Sequence, residues 1–145
     1  MVVLVVLVVA ILAFRGLGSL WFQSLASWQS ATRYGLAVML FFTSSAHFTS
    51  LRAELVRMTP PWVPWPEVMV FFTGLCEILG AVAVLMPEVR SVAGIALIVL
   101  FVALLPANVY AARAGLTLRG KPVTPLWLRI PMQLLFIGLT WWSTQ

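Results

Sequence analysis

Five polar residues stand inside long apolar runs of this chain, and their types suit proton transfer or the binding of an anion or a carbonyl oxygen. They are an imidazole, a carboxyl, a guanidinium and two carboxamides: His47, Glu77, Arg129, Asn108 and Gln133. An ionisable group at the centre of a bilayer costs about 2.5–3.5 kcal/mol on insertion scales, so such groups are rare in spans and usually pair inside a bundle. The set therefore predicts a buried polar site.

The elements that carry these residues are predicted to be membrane-spanning helices. Of the 145 residues, 62% are hydrophobic and 9% are charged. Four stretches of about 20 residues are long enough to cross a hydrocarbon core of about 30 Å. Their apolar runs do not alternate with polar residues as membrane strands do, so we expect an all-α polytopic bundle without a sheet. The predicted spans are 31–48, 66–86, 91–112 and 125–142.

The N-terminal run is predicted to add a fifth helix over about residues 1–22, packed beside the bundle, with Arg15 facing protein or snorkelling to the surface. A cleaved signal peptide is the alternative, but no Lys or Arg precedes the apolar run. We divide the chain into an N-terminal hydrophobic helix with its connector, 1–30, and a four-helix membrane bundle, 31–145.

The polar residues are expected to share one pocket. Threading the spans back and forth at about 1.5 Å per residue places them all in the same half of the membrane. Residues four apart share a helix face, which holds for Thr73 with Glu77 and for Arg129 with Gln133. Glu77 and Arg129 lie deep in predicted spans, and each is the only deep residue of opposite charge available to the other. They are therefore predicted to pair directly or through one water. The predicted pocket comprises His47, Thr73, Glu77, Asn108, Arg129 and Gln133.

Charge and tryptophan positions predict the orientation of the chain. The net charge is +5, and most of the basic residues fall in loops, where topology and anionic lipid account for them. Loop charges place the His47 end on the cytoplasmic side. No basic stripe with interleaved aromatics suggests nucleic acid. Trp62, Trp65 and Trp127 are expected at one interface, and Trp21, Trp141 and Trp142 at the other.

Several kinds of chemistry are disfavoured. The single cysteine, Cys76, excludes an intramolecular disulfide. One histidine with one deep carboxylate falls short of a usual metal-ligand set, so no metal site is predicted. No nucleotide or hydrolase motif is present, and catalytic residues stay unassigned. Polar groups of this kind also act as glue between helices, which is the structural alternative to a functional pocket.

Four short strings, taken in order and spacing, resemble the DoxX-like small membrane proteins over roughly residues 31–142. They are His47-Phe48, Thr73-Gly74-x-x-Glu77-Ile78-Leu79-Gly80-Ala81, Pro106-Ala107-Asn108 and Arg129-x-Pro131-x-Gln133. The resemblance implies a four-helix membrane bundle formed by the predicted spans 31–48, 66–86, 91–112 and 125–142. The family takes its name from a small subunit of a thiosulfate:quinone oxidoreductase, and some relatives are linked to redox or thiol-stress systems. This chain departs from the pattern in its additional N-terminal helix and in lacking a cysteine pair.

Three functions stay open at this point, and whether the protein is an enzyme is open as well. The first is an accessory or subunit of a quinone-linked or thiol/sulfur redox system, in which the pocket holds a quinone or a small oxyanion beside a partner subunit. The second is a non-catalytic scaffold, assembly factor or chaperone-like protein. The third is a pathway for a small solute or for protons. The expected location is the bacterial inner membrane, where the protein contacts lipid and a homo-oligomer is one possible assembly.

Overall fold

The computed structural model describes residues 1–22 and 25–145, so residues 23 and 24 of the predicted connector lie outside the described residues. In the described ranges the chain is mostly helical, as predicted. The α-helices are α1 (Val2–Leu20), α2 (Trp28–Ser45), α3 (Arg52–Met58), α4 (Pro66–Ala83), α5 (Arg90–Arg113) and α6 (Leu126–Thr144). A short 3-10 helix, Ala46–Phe48, continues α2 and carries His47.

Four long helices surround the core, with the fifth outside them. In the ring, α2 contacts α4 and α6, and α5 contacts the same two helices. The N-terminal helix α1 packs on α2, where Leu7 is completely buried. Gly35 of α2 permits this approach, because a Cβ there would stand 2.5 Å from Ile11 Cγ1. The prediction of an additional helix beside the bundle is confirmed.

Local signals explain where these helices begin. Ser27 caps α2, its hydroxyl accepting a hydrogen bond from the Ser30 N–H at 3.0 Å. Pro66 opens α4 at a position where its missing N–H costs nothing. Trp65, just before it, has a left-handed φ of 48°. This conformation turns the chain from the proline-rich loop, residues 59–65, into the helix.

Length and hydropathy identify three helices that could cross a membrane among the described residues: α1, α4 and α5. The helices α2 and α6 have similar lengths, 18 and 19 residues, but they are less apolar. Polar residues account for this: α6 carries Arg129 and Gln133 of the predicted pocket, and α2 carries Thr43.

The loop regions hold two elements that the sequence did not predict. One is α3. The other is a hairpin of two-residue strands, β1 (Thr117–Leu118) and β2 (Lys121–Pro122), so the expectation of no sheet is wrong at this point. Arg119 and Gly120 form its turn with φ values of 56° and 70°, the pair of positive angles that two-residue hairpins favour. Glu54 of α3 accepts a hydrogen bond from the Arg119 N–H at 2.7 Å, which ties the hairpin to the bundle.

The two ends of the bundle are fixed by polar contacts. We call the end with α3 and the β-hairpin the hairpin end. At the opposite end, Arg33 near the start of α2 donates to the Ser143 carbonyl at 2.7 Å, and Ser91 near the start of α5 donates to the Thr144 carbonyl at 3.1 Å. The helices therefore alternate in direction. The expected division of the tryptophans, all of which are exposed, is confirmed: Trp62, Trp65 and Trp127 lie at the hairpin end and Trp21, Trp141 and Trp142 at the other.

Candidate functional site

A buried carboxyl of α4 lies at the centre of the first polar group. Glu77 is only 6% exposed. The Thr43 hydroxyl on α2 donates to its Oε2 at 2.7 Å. His47 places its Nε2 3.8 Å from the Oε1 of the same carboxyl. Because Thr43 and His47 are four residues apart along one continuous helical segment, both reach Glu77 from the same side.

The imidazole of His47 is held in one orientation. Its Nδ1 lies 2.6 Å from the main-chain oxygen of Val70. A carbonyl oxygen can only accept, so Nδ1 must carry the hydrogen, and Nε2 is left to face Glu77. Thr73 Oγ1 stands 3.4 Å from the same Nδ1 and donates to the Val70 oxygen at 3.0 Å. Gly74 makes room for the ring, since a Cβ at that position would stand 2.5 Å from His47 Cβ.

A second polar group joins α5 and α6. Arg129 donates from Nη2 to the carboxamide oxygen of Asn108 at 2.6 Å. The Nε of Arg129 is buried and has no hydrogen-bond partner among the residues that the structure describes. A guanidinium has five donors and cannot shed its proton in a protein, so one neutral acceptor leaves most of its capacity unused.

Gln133 reaches the backbone of α5 one turn before Pro106. Its Nε2 donates to the Phe101 carbonyl at 2.7 Å. Pro106, inside the helix, offers no N–H to the carbonyl of Val102, the next residue along. The buried amide of Gln133 thus joins α6 to the part of α5 where Pro106 removes a helical hydrogen bond.

The predicted direct pairing of Glu77 with Arg129 is wrong. Across the described ranges no nitrogen of Arg129 lies within 4.0 Å of a Glu77 oxygen, and the ion-pair distance found at Glu77 is the one to His47. The two charged groups are therefore farther apart than an ion-pair contact. The physical reason is that each found a nearer partner: the hydroxyl of Thr43 and the ring of His47 for the carboxyl, and Asn108 for the guanidinium. Pairing through one water stays a prediction.

The six predicted residues thus fall into two adjoining groups rather than one hydrogen-bonded cluster. His47, Thr73 and Glu77 belong to the interface of α2 with α4, and Asn108, Arg129 and Gln133 to that of α5 with α6. The first group places two proton-accepting atoms, Nε2 of His47 and Oε1 of Glu77, 3.8 Å apart, a separation at which a proton passes only after a closer approach or through one water. The second contains a partly satisfied cation, whose chemistry suits an anion or a carbonyl oxygen.

Three participants in the site are not among the six predicted residues. Thr43 has a detectable signal, because it lies four residues before His47 on the same helix face. Gly74 has a weaker one, as a glycine inside an apolar helix marks a close approach. The Val70 carbonyl has none, because every residue carries one and only the packing of His47 against α4 selects it.

The comparisons with known proteins add a family but no activity. No curated protein and no solved structure matches the chain significantly. A match to a protein family covers residues 36–144, from within α2 to the last residue of α6, and so takes in Thr43 and all six predicted site residues. Since this range is well over half of the sequence, the chain belongs to the family described as Domain of unknown function (DUF8561).

Proposed function

We propose that this chain is an integral membrane protein with a DoxX-like architecture, in which α2, α4, α5 and α6 form the four-helix core. Three of the helices, α1, α4 and α5, have the length and hydropathy for spanning. The strings that resemble DoxX-like proteins lie on α2 with its 3-10 extension, α4, α5 and α6, one string for each helix of the ring. On this view α1 is an additional span, and the membrane is the bacterial inner membrane.

We further propose that the two polar groups bind a carbonyl-bearing ligand, with a quinone as the leading candidate, in a membrane subunit of a redox system. The observation that carries this proposal is the state of Arg129. Among the residues that the structure describes, its guanidinium donates to one neutral oxygen, its Nε is buried without a partner, and no carboxylate stands within 4.0 Å. A buried donor that makes no hydrogen bond costs about 1–3 kcal/mol, and more if it is charged, so binding of an external acceptor would be favourable.

The neighbouring carboxyl and imidazole supply the proton chemistry that quinone reduction needs. Nδ1 of His47 is committed to the Val70 carbonyl, so only Nε2 gains or loses a proton, and it faces Glu77. A ligand oxygen held by Arg129 would lie beside a carboxyl able to give or take that proton. Electrons would come from a partner subunit.

A scaffold is the second candidate, and the Gln133–Phe101 contact favours it, because that bond joins α6 directly to the backbone of α5. The two proposals make different predictions for one experiment. The protein is purified from its membranes with bound lipids and measured by native mass spectrometry, as wild type and as Arg129→Met. The redox proposal predicts a bound mass equal to a quinone in the wild type that is lost in the variant, and a co-purifying partner subunit. Phospholipid masses alone, unchanged by the substitution, would favour the scaffold.

A further inference from the structure

An open apolar groove of about 770 Å³ runs along the C-terminal half of α5 at the hairpin end. One wall of the groove is formed by Val102, Leu105 and Val109 of α5. The other wall is formed by Pro60 and Trp62 of the proline-rich loop. These positions on α5 are three and four residues apart, so they form one continuous stripe along the helix. The groove is separate from the polar residues described above, none of which lines it.

The length of the groove matches one leaflet of a bilayer. From Val102 to Arg113 the helix advances eleven residues at about 1.5 Å each, roughly 16 Å. Half of a hydrocarbon core of about 30 Å is about 15 Å. Trp62 and Tyr110 lie toward the end of the groove that holds Arg113, and such rings favour the depth of the headgroups. The groove is therefore apolar where acyl chains are and polar where headgroups are.

A cation stands at the headgroup end without an acidic partner. Arg113 lies in the last turn of α5 and lines the groove. Among the described residues no carboxylate oxygen lies within 4.0 Å of its guanidinium. Glu54, an acid of the same end, is already occupied by the Arg119 N–H. An exposed, uncompensated guanidinium at this depth is complementary to a phosphate.

A second groove shows what is particular about the first. It has a volume of about 410 Å³ and lies between α4 and α5, lined among others by Cys76, Leu79 and Ala96. No charged residue lines it. It can accept any chain, but it has nothing with which to select a headgroup.

We propose that the groove along α5 holds an acyl chain of an anionic phospholipid whose phosphate is bound by Arg113. The inference rests on the membrane placement proposed above, but not on the quinone. Selectivity comes from the guanidinium, because the apolar walls treat zwitterionic and anionic lipids alike. Trp62 and the rigid proline-rich loop around it keep the groove open before the lipid arrives.

The test is a titration of the purified protein in detergent with phosphatidylglycerol and with phosphatidylcholine of the same acyl chains, followed by native mass spectrometry. The wild type is expected to bind phosphatidylglycerol several-fold more tightly. Arg113→Gln should reduce that preference roughly fivefold, the effect of one basic residue near an anionic surface. Arg113→Lys should keep most of it. Val102→Trp, which fills the deep end, should weaken binding of both lipids.

Arg57→Gln is the matched control, because Arg57 is an exposed arginine at the same end, on α3, and does not line the groove. It should leave the preference unchanged. Equal affinities of the wild type for the two lipids, or equal losses in Arg113→Gln and Arg57→Gln, would overturn the proposal. The proposal would also be overturned if millimolar inorganic phosphate displaced phosphatidylglycerol while Val102→Trp left lipid binding unchanged. That combination of results would indicate a site for free phosphate. A quinone mass lost in Arg129→Met with no lipid preference would overturn this inference alone.

Discussion

Gly74 lies directly against the imidazole of His47. A Cβ atom at position 74 would stand 2.5 Å from His47 Cβ and 2.7 Å from its Cγ. The ring is also tied to α4 by its hydrogen bond to the Val70 carbonyl, so it has little room to move away. The position of the one histidine thus depends on a missing side chain on the neighbouring helix.

Gly74→Ala should therefore lower the free energy of unfolding by about 1–3 kcal/mol, the usual cost of overpacking. Gly138→Ala is the matched control, because nothing lies within 4 Å of a Cβ built at that position of α6. It should be neutral or stabilise by up to about 1 kcal/mol through helix propensity. Thermal unfolding of both variants in detergent measures the difference, and equal midpoints would refute the close approach.

The hydroxyl of Thr43 should matter through Glu77. Thr43→Val removes the donor that lies 2.7 Å from Oε2 and leaves a buried acceptor unpaired, at a cost of about 1–3 kcal/mol. Thr43→Ser keeps the hydroxyl and should cost less. In a Glu77→Gln background the effect of Thr43→Val should shrink, because a neutral amide oxygen accepts a weaker hydrogen bond than a carboxylate. Denaturant or thermal unfolding measures the loss of unfolding free energy in each background. A loss of the same size in both would mean that the bond between Thr43 and Glu77 is not its cause.

Much of this fold follows from the sequence because its physical causes are local. Apolar runs of spanning length gave the long helices, and the polar stripe on α4 faces the interior, with Glu77 buried, as predicted. The pairing within the site did not follow. Depth and facing predicted that Glu77 and Arg129 lie inside the bundle, but the choice of partner for each depends on rotamers and helix offsets, which spacing does not encode. The hairpin at Arg119-Gly120 was missed because only one of its two turn residues is a glycine.

Arg129 and Asn108 should be energetically coupled. Their hydrogen bond of 2.6 Å links α6 to α5 and involves a charged donor, for which about 1.5–3 kcal/mol is typical. A double-mutant cycle with Arg129→Met and Asn108→Leu is expected to give a coupling of about 1–3 kcal/mol in unfolding free energy. Losses that add to within about 0.5 kcal/mol would show that the two residues act independently.

The N-terminal helix should contribute to stability through a single face. Leu7 is 0% exposed, whereas Val9, two residues on, is 59% exposed. Leu7→Ala should cost about 2–5 kcal/mol of unfolding free energy by leaving a cavity against α2. Val9→Ala, its control, should change the unfolding midpoint little. Should Leu7→Ala prove as harmless as Val9→Ala, α1 would not be packed on the bundle.

The most direct test of the proposed ligand site is the dissociation constant of a short-chain ubiquinone analogue for the purified protein. We expect saturable binding that Arg129→Met weakens by about 10–100-fold, the loss of one charge-assisted hydrogen bond. Arg33→Met is the matched control, since Arg33 is also partly buried and donates to neutral oxygens, but at the opposite end of the bundle. It should leave the constant unchanged. A wild type that does not bind the analogue, or one whose affinity survives Arg129→Met, would contradict the account.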